Sequence, residues 1–135
     1  MKVLEFAFEE GGSSPYLPHN YTSNCVVYTG THDNDTLAGW YKEMNIEEKE
    51  FSIDYLGNSR TPVEKIHWDF IRLALSSVAD LAIIPVQDYL GLGTEARINE
   101  PSTLGKNWQW RLLKGQLDEK TLRRCRRMAE VYGRV

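Results

Sequence analysis

Cys25-Val26-Val27-Tyr28-Thr29-Gly30-Thr31-His32-Asp33-Asn34-Asp35-Thr36 passes from an apolar run straight into a cluster of His, Asp, Asn and Asp, with helix-forming sequence following at once. A buried strand that empties into polar side chains and then a helix is how α/β enzymes set chemistry at the C-terminal ends of parallel strands. The stretch therefore predicts an α/β fold. It also marks residues 31–36 as the first place to look for function.

The sequence on either side repeats the pattern. Downstream, Thr36 to Met44 reads as a short helix, and Asn45-Ile46-Glu47-Glu48 offers a capping box for a second helix that reaches Leu56 and ends at Gly57. Thr61-Pro62-Val63-Glu64 combines an N-cap, a proline at the first helical position and a glutamate three residues after the cap. It predicts a third helix with Val63, Ile66, Phe70, Leu73, Ala74 and Ser77 on one core-facing side. Leu81 to Pro85 is a strand without alternation, and polar side chains, Gln87 and Asp88, again appear just beyond its end. Upstream, Val3 to Phe8 reads as a strand buried on both faces, broken by Gly11-Gly12-Ser13-Ser14-Pro15. At the far end Asp118 caps a last helix whose inward face is Leu122, Cys125, Met128, Ala129 and Tyr132, with Gly133 as its stop.

Strands alternating with helices predict βα units in a parallel sheet. Three strands cannot close an eight-stranded barrel, and an open sheet of three leaves two edges unpaired. The chain is expected to be part of something larger.

Composition narrows the class. With 135 residues, 41% hydrophobic and 26% charged, the chain has the profile of one soluble globular domain. Its longest apolar run, Leu81 to Val86, falls far short of the roughly 20 residues that span a bilayer, and no signal peptide opens the chain. A cytoplasmic location is expected, or a plastid one in a plant, with no membrane partner. The net charge is −3, and the basic group Arg123, Arg124, Arg126 and Arg127 shares its helix with Asp118, Glu119 and Glu130. That is a solvated face, and no nucleic-acid partner is expected. Cys25 and Cys125 stand a hundred positions apart and read as free thiols. His19, His32 and His67 lack helical i, i+4 spacing, so no metal is expected. Gly91-Leu92-Gly93 lacks the third glycine of a dinucleotide fingerprint and no Walker lysine follows a glycine-rich turn, so no cofactor is expected.

Within the polar cluster the two aspartates divide their labour. Asp35 precedes Thr36-Leu37-Ala38-Gly39-Trp40 and suits the helix N-cap, which leaves Asp33 as the candidate for a pocket. An ionised carboxylate there can bind vicinal sugar hydroxyls or stabilise a developing cation; its alternative is a plain turn aspartate. His32 is a general base, a hydroxyl-binding neighbour or a satisfied core histidine. Trp40 and Trp68 fall on helices as packing residues, and Trp108 and Trp110 are read as structural, with sugar stacking as the alternative.

Taken together, Met1 to Phe8, Pro15 to Tyr21, Val27 to Thr36, Pro85-Val86-Gln87-Asp88 with Gly91-Leu92-Gly93, and Asn107-Trp108-Gln109-Trp110-Arg111 resemble, in order and spacing, the C-terminal third of amylomaltases, the 4-α-glucanotransferase or disproportionating-enzyme family. The resemblance covers essentially the whole chain. It implies that residues 1–135 are a C-terminal fragment of a catalytic (β/α)₈ barrel, supplying its strands six, seven and eight with their helices. It further implies a retaining transferase that moves α-1,4-glucan segments between malto-oligosaccharides. In that family Asp33 would match the third carboxylate of the catalytic trio, with His32 as its substrate-binding neighbour and Asn99 as a further glucan contact. The family's nucleophilic Asp and acid/base Glu lie upstream of the matching segments, and Glu5, Glu9 and Glu10 do not stand in their motifs. The implied partners are thus a malto-oligosaccharide or starch-type glucan and the N-terminal part of the same enzyme, without which the fragment is expected to be inactive. The alternative is a non-catalytic carbohydrate-binding or barrel-completing module.

Overall fold

The computed structural model describes residues Met1–Val135. Three short parallel strands lie side by side in chain order: β1 (Lys2–Val3), β2 (Val26–Tyr28) and β3 (Leu81–Ile83). Lys2 and Val3 pair with Val27 and Tyr28, which in turn pair with Ala82 and Ile83. The helices are α1 (Leu37–Glu43), α2 (Ile46–Leu56), α3 (Ile66–Ser76), α4 (Val86–Tyr89) and α5 (Glu119–Val131).

The first strand is shorter than its apolar run predicts. After Val3 the chain tightens into a 3₁₀ turn over Leu4–Phe6, so Leu4, Ala7 and Phe8 enter the core without extending a strand. Phe8 lies in an aromatic nest, its ring 5.7 Å from that of Phe70 and 5.9 Å from that of Trp40. A run that fails to alternate is compatible with burial in either conformation, and here tertiary packing decided.

The third helix also starts differently. Residues Val63–Lys65 form a 3₁₀ turn before α3, no side chain caps it, and the Thr61 hydroxyl accepts from Asn58 Nδ2 instead. Val63, which the periodicity placed on the core face, is exposed. The rest of that face holds: Ile66, Phe70, Ile71 and Ala74 are buried, and α3 packs against α1, α2, α4 and α5. Gly91, at φ 66°, follows α4 where an added Cβ would stand 2.6 Å from Cε1 of buried His67, so that contact admits only glycine.

One face of the sheet, through Val27 and Ala82, packs on α3 around Ala74. The other, through Tyr28, Leu81 and Ile83, is uncovered, Leu81 being 51% and Ile83 40% exposed. The non-alternating apolar run of β3 thus leaves alternate side chains uncovered within this chain. On α5 the expected inward face narrows to Met128, with Cys125 and Tyr132 partly covered and Leu122 exposed. The Arg124 guanidinium sits over Trp68, 4.1 Å from the ring centroid, so one member of the basic group packs while Arg126 and Arg127 pair with Glu130 in solvent.

Candidate functional site at the strand ends

The loop after β2 is a knot that its own sequence ties. Asn34 Oδ1 accepts from both the backbone N–H and the hydroxyl of Thr31, each at 2.8 Å, and the Asn34 N–H returns to the Thr31 carbonyl. Side chains of this kind replace backbone partners in tight turns. The knot leaves His32 and Asp33 at its crest, with side chains 55% and 49% exposed.

Asp35 does not cap α1, contrary to expectation. Thr36 is the N-cap, its hydroxyl accepting from the Gly39 N–H at 3.2 Å. Asp35 instead accepts from the Thr36 N–H through Oδ1 and from the Thr94 hydroxyl through Oδ2, both at 2.8 Å. Gly39 makes room for that carboxylate, since an added Cβ would sit 2.6 Å from Asp35 Oδ2.

Behind the crest lies a buried frame. Asp88, from α4, accepts from the Thr29 hydroxyl at 2.6 Å and from the Leu37 N–H at 2.8 Å, joining the end of β2 to the start of α1. Burial pushes its carboxyl up to about 6 in spite of those two bonds, with Asp35 adding repulsion. Glu5 is buried beside Gly30, where a Cβ on the glycine would be 2.9 Å from Glu5 Oε1. That oxygen has no hydrogen-bond partner. Burial, then the nearby Asp88 and Asp35, push the Glu5 carboxyl up to about 10, with Arg97 acting the other way. The folded chain holds Glu5 neutral at pH 7.

The segment after α4 folds back over the crest. Asn99 donates through Nδ2 to Asp33 Oδ1 at 2.7 Å, and its backbone N–H donates to the His32 carbonyl at 3.1 Å. Arg97 donates through Nη2 to the Asp33 carbonyl at 2.7 Å and through Nε to the Asn99 carbonyl at 2.9 Å. His32 Nε2 is 3.3 Å from Asp33 Oδ1, and the Trp108 ring lies 5.2 Å from that of His32 at 37°. The structure thus brings together His32, Asp33 and Asn99, the three residues singled out in the sequence. It adds Arg97, which bonds the crest directly, Asp88, which ties the end of β2 to the start of α1 behind it, and Glu5, buried beside Gly30. Their only sequence signal is position, polar residues at or just past strand ends; the contacts that enlist Arg97 and Asp88 cross 51 to 64 residues.

His32 and Asp33 open onto a cleft of about 430 Å³ walled by Tyr28, Ile83, Gln87 and Ile98. Beyond Asn99 a second hollow of about 390 Å³ is lined by polar side chains alone, among them Arg97, Asn99, Glu100 and Asn107. A half-exposed carboxylate, an imidazole and an amide thus converge between two hollows, offering hydrogen-bond acceptors and donors to both. No three His, Cys, Asp or Glu side chains gather as metal ligands, and no helix is long and apolar enough to cross a membrane.

Comparisons with known proteins agree on one family. The 4-alpha-glucanotransferase family model, glycoside hydrolase family 77, matches residues 1–117. The 4-alpha-glucanotransferase of Clostridium butyricum is 47% identical over 99% of this chain, and that of Thermus thermophilus 49% over 100%. This chain spans only 27% and 28% of those two enzymes. The amylomaltase of Streptococcus agalactiae, solved in complex with acarbose, superposes with a TM-score of 0.93 at 34% identity, covering 99% of this chain and 27% of that one. The parallel strands and their helices fit part of a (β/α)₈ barrel, and by sequence and by fold the chain belongs to the 4-alpha-glucanotransferase family.

Proposed function

We propose that this chain supplies the substrate-stabilising carboxylate of a retaining 4-α-glucanotransferase that moves α-1,4-glucan segments between malto-oligosaccharides. The observation that carries it is the Asp33 carboxylate, half exposed on the cleft and fixed by the Asn99 amide at 2.7 Å with His32 beside it. Asp33 accepts hydroxyls of the reacting glucose, and its fixed negative charge favours the oxocarbenium-like transition state more than the ground state. His32 and Asn99 orient the same sugar through hydrogen bonds. Retaining transfer also needs two carboxyl groups about 5–5.5 Å apart across the scissile bond, one as nucleophile and one as acid and base. Those belong to the rest of a full-length enzyme, and the 135-residue chain does not turn over by itself. The amylomaltase that superposes was solved with acarbose, which favours a glucan-like ligand here. A cytoplasmic place goes with this role, or a plastid one in a plant, where the Arabidopsis thaliana relative is named chloroplastic/amyloplastic.

The uncovered sheet face and unpaired strand edges favour assembly with the remaining barrel over independent sugar binding as the chain's task. The experiment is complementation. The chain alone, incubated with maltotriose, releases no glucose; mixed with the remaining three quarters of the Thermus thermophilus relative, it yields glucose and longer oligomers. In the completed barrel, Asp33→Asn lowers kcat by about 100-fold or more while KM moves little, since the lost contacts strengthen mainly in the transition state. Glucose release by the chain alone, or an Asp33→Asn enzyme of normal kcat, refutes the assignment.

A further inference from the structure

Trp108 is held in a conformation that its residue type disfavours and its packing does not require. Its φ of 63° lies in the left-handed region, yet its side chain is 57% exposed and belongs to neither hydrophobic cluster. Such backbone costs free energy and persists only where the surroundings over-determine it. Here they do. The Trp108 N–H donates to the Ile98 carbonyl at 2.7 Å, and its own carbonyl accepts from Arg111 at 3.1 Å. Just before it, Asn107 accepts from the Glu100 N–H and donates to Thr103, tying the intervening turn to itself. All this fixes an indole in the open beside His32, one residue along from Asn107, which lines the polar hollow.

A pyranose has polar edges and an apolar face. The polar hollow and the His32, Asp33 and Asn99 group offer partners for the hydroxyls, and Trp108 is the one large exposed aromatic next to them. We propose that the Trp108 indole is the stacking platform for a glucose ring of the bound α-glucan, next along the chain from the ring held by Asp33. The proposal rests on the glucan-binding role argued above and adds the residue that supplies apolar contact. It also explains the strain: the left-handed residue aims the ring, and a relaxed residue there would not.

The test is binding of maltoheptaose to the chain assembled with the remaining three quarters of the Thermus thermophilus relative, followed by calorimetry and by the fluorescence of 5-hydroxytryptophan placed in the 135-residue chain alone. Trp68 is buried and Trp40 and Trp110 are half-buried, so a glucan-dependent fluorescence change is expected chiefly from exposed Trp108, with Trp108→Phe as the control for Trp110. Trp108→Gly keeps the N–H bond to Ile98 and adopts the φ freely, so its melting midpoint stays level or rises while maltoheptaose binds about tenfold more weakly. Trp108→Phe keeps the Kd within about threefold and abolishes the fluorescence change. Unchanged affinity in Trp108→Gly overturns the proposal, as does a fall in melting midpoint that parallels the loss of affinity. Absence of any saturable binding by the assembled enzyme overturns the glucan-binding role and the proposal with it, whereas a parent that binds beside an equally tight Trp108→Gly overturns the proposal alone. Turnover by Asp33→Asn in the completed barrel separates the two claims: a fully active enzyme refutes the role of Asp33 alone, and an inactive one beside a normally binding Trp108→Gly refutes Trp108 alone.

Discussion

Glu5 carries the clearest consequence at the scale of single residues. Glu5 is 5% exposed, one of its carboxyl oxygens is unpartnered, and its folded pKa is pushed up to about 10 from an ordinary 4.5. The folded chain therefore holds a proton that the unfolded chain has lost, so this contribution is full below pH 4.5 and declines as pH rises toward about 10. Asp88 slopes the same way between 3.8 and about 6, whereas His67, pushed down to about 4 mainly by burial and then by Lys65 and Arg124, takes up a proton in the unfolded chain first and slopes the opposite way up to 6.5. Those two oppose each other in mild acid, and above that range Glu5 alone of the three still acts. Glu5→Gln should melt higher than the parent at pH 8 and with it near pH 4.5, as followed by circular dichroism. Parallel curves at both pH values would show that Glu5 is not neutral in the fold. Nothing in the sequence around Glu5 foretells this, because the burial comes from Gly30 and the strand-end frame and not from near neighbours.

Helix ends show where sequence is legible and where it is not. Asn45 and Asp118 cap α2 and α5 as read, accepting from Glu48 at 2.9 Å and from Thr121 at 2.8 Å, because a cap answers to residues within its own first turn. Asp35 misled because its carboxylate is drawn to Thr94, 59 positions away, which leaves the cap to Thr36. Thr61 misled for a local reason instead, its hydroxyl being taken by Asn58 three residues before it. Thr36→Ala should destabilise the fold by about 1 kcal/mol, the usual value of a lost cap, measured by urea denaturation. Asp35→Ala should lower the affinity of the crest for glucan more than it lowers stability, since Asp35 joins that loop to Thr94. Phe70, at the centre of the aromatic nest, belongs to the legible part: Phe70→Ala should cost about 3–5 kcal/mol, a large share of the roughly 5–15 kcal/mol that holds an ordinary domain folded, as read by urea denaturation.

Across the whole molecule, alternation of strands with helices was sufficient to predict the parallel order, because each strand that feeds a helix returns to the sheet alongside its predecessor. The site was legible in part: His32, Asp33 and Asn99 do converge, but the strap that joins them, Arg97, could not be seen without the fold-back of 64 residues. The sheet ends with β1 and β3 each paired on one side only, and Leu81 and Ile83 face outward. Unpaired edges beside uncovered apolar side chains drive association. Sedimentation of the chain should show a weight-average mass that rises with concentration and falls when the rest of a family barrel is added; a monomer at all concentrations would mean that these edges are shielded in solution.

The excursion from Ile98 to Trp108 is latched at its neck by one backbone bond, and its tip carries Leu104 wholly in water. A loop sealed at the base can lengthen at its far end for little loss of chain entropy. Evolution, or an engineer, can therefore splice residues in at Leu104 to reshape the polar hollow beside it, while the acid and imidazole on the other side of the latch stay in register.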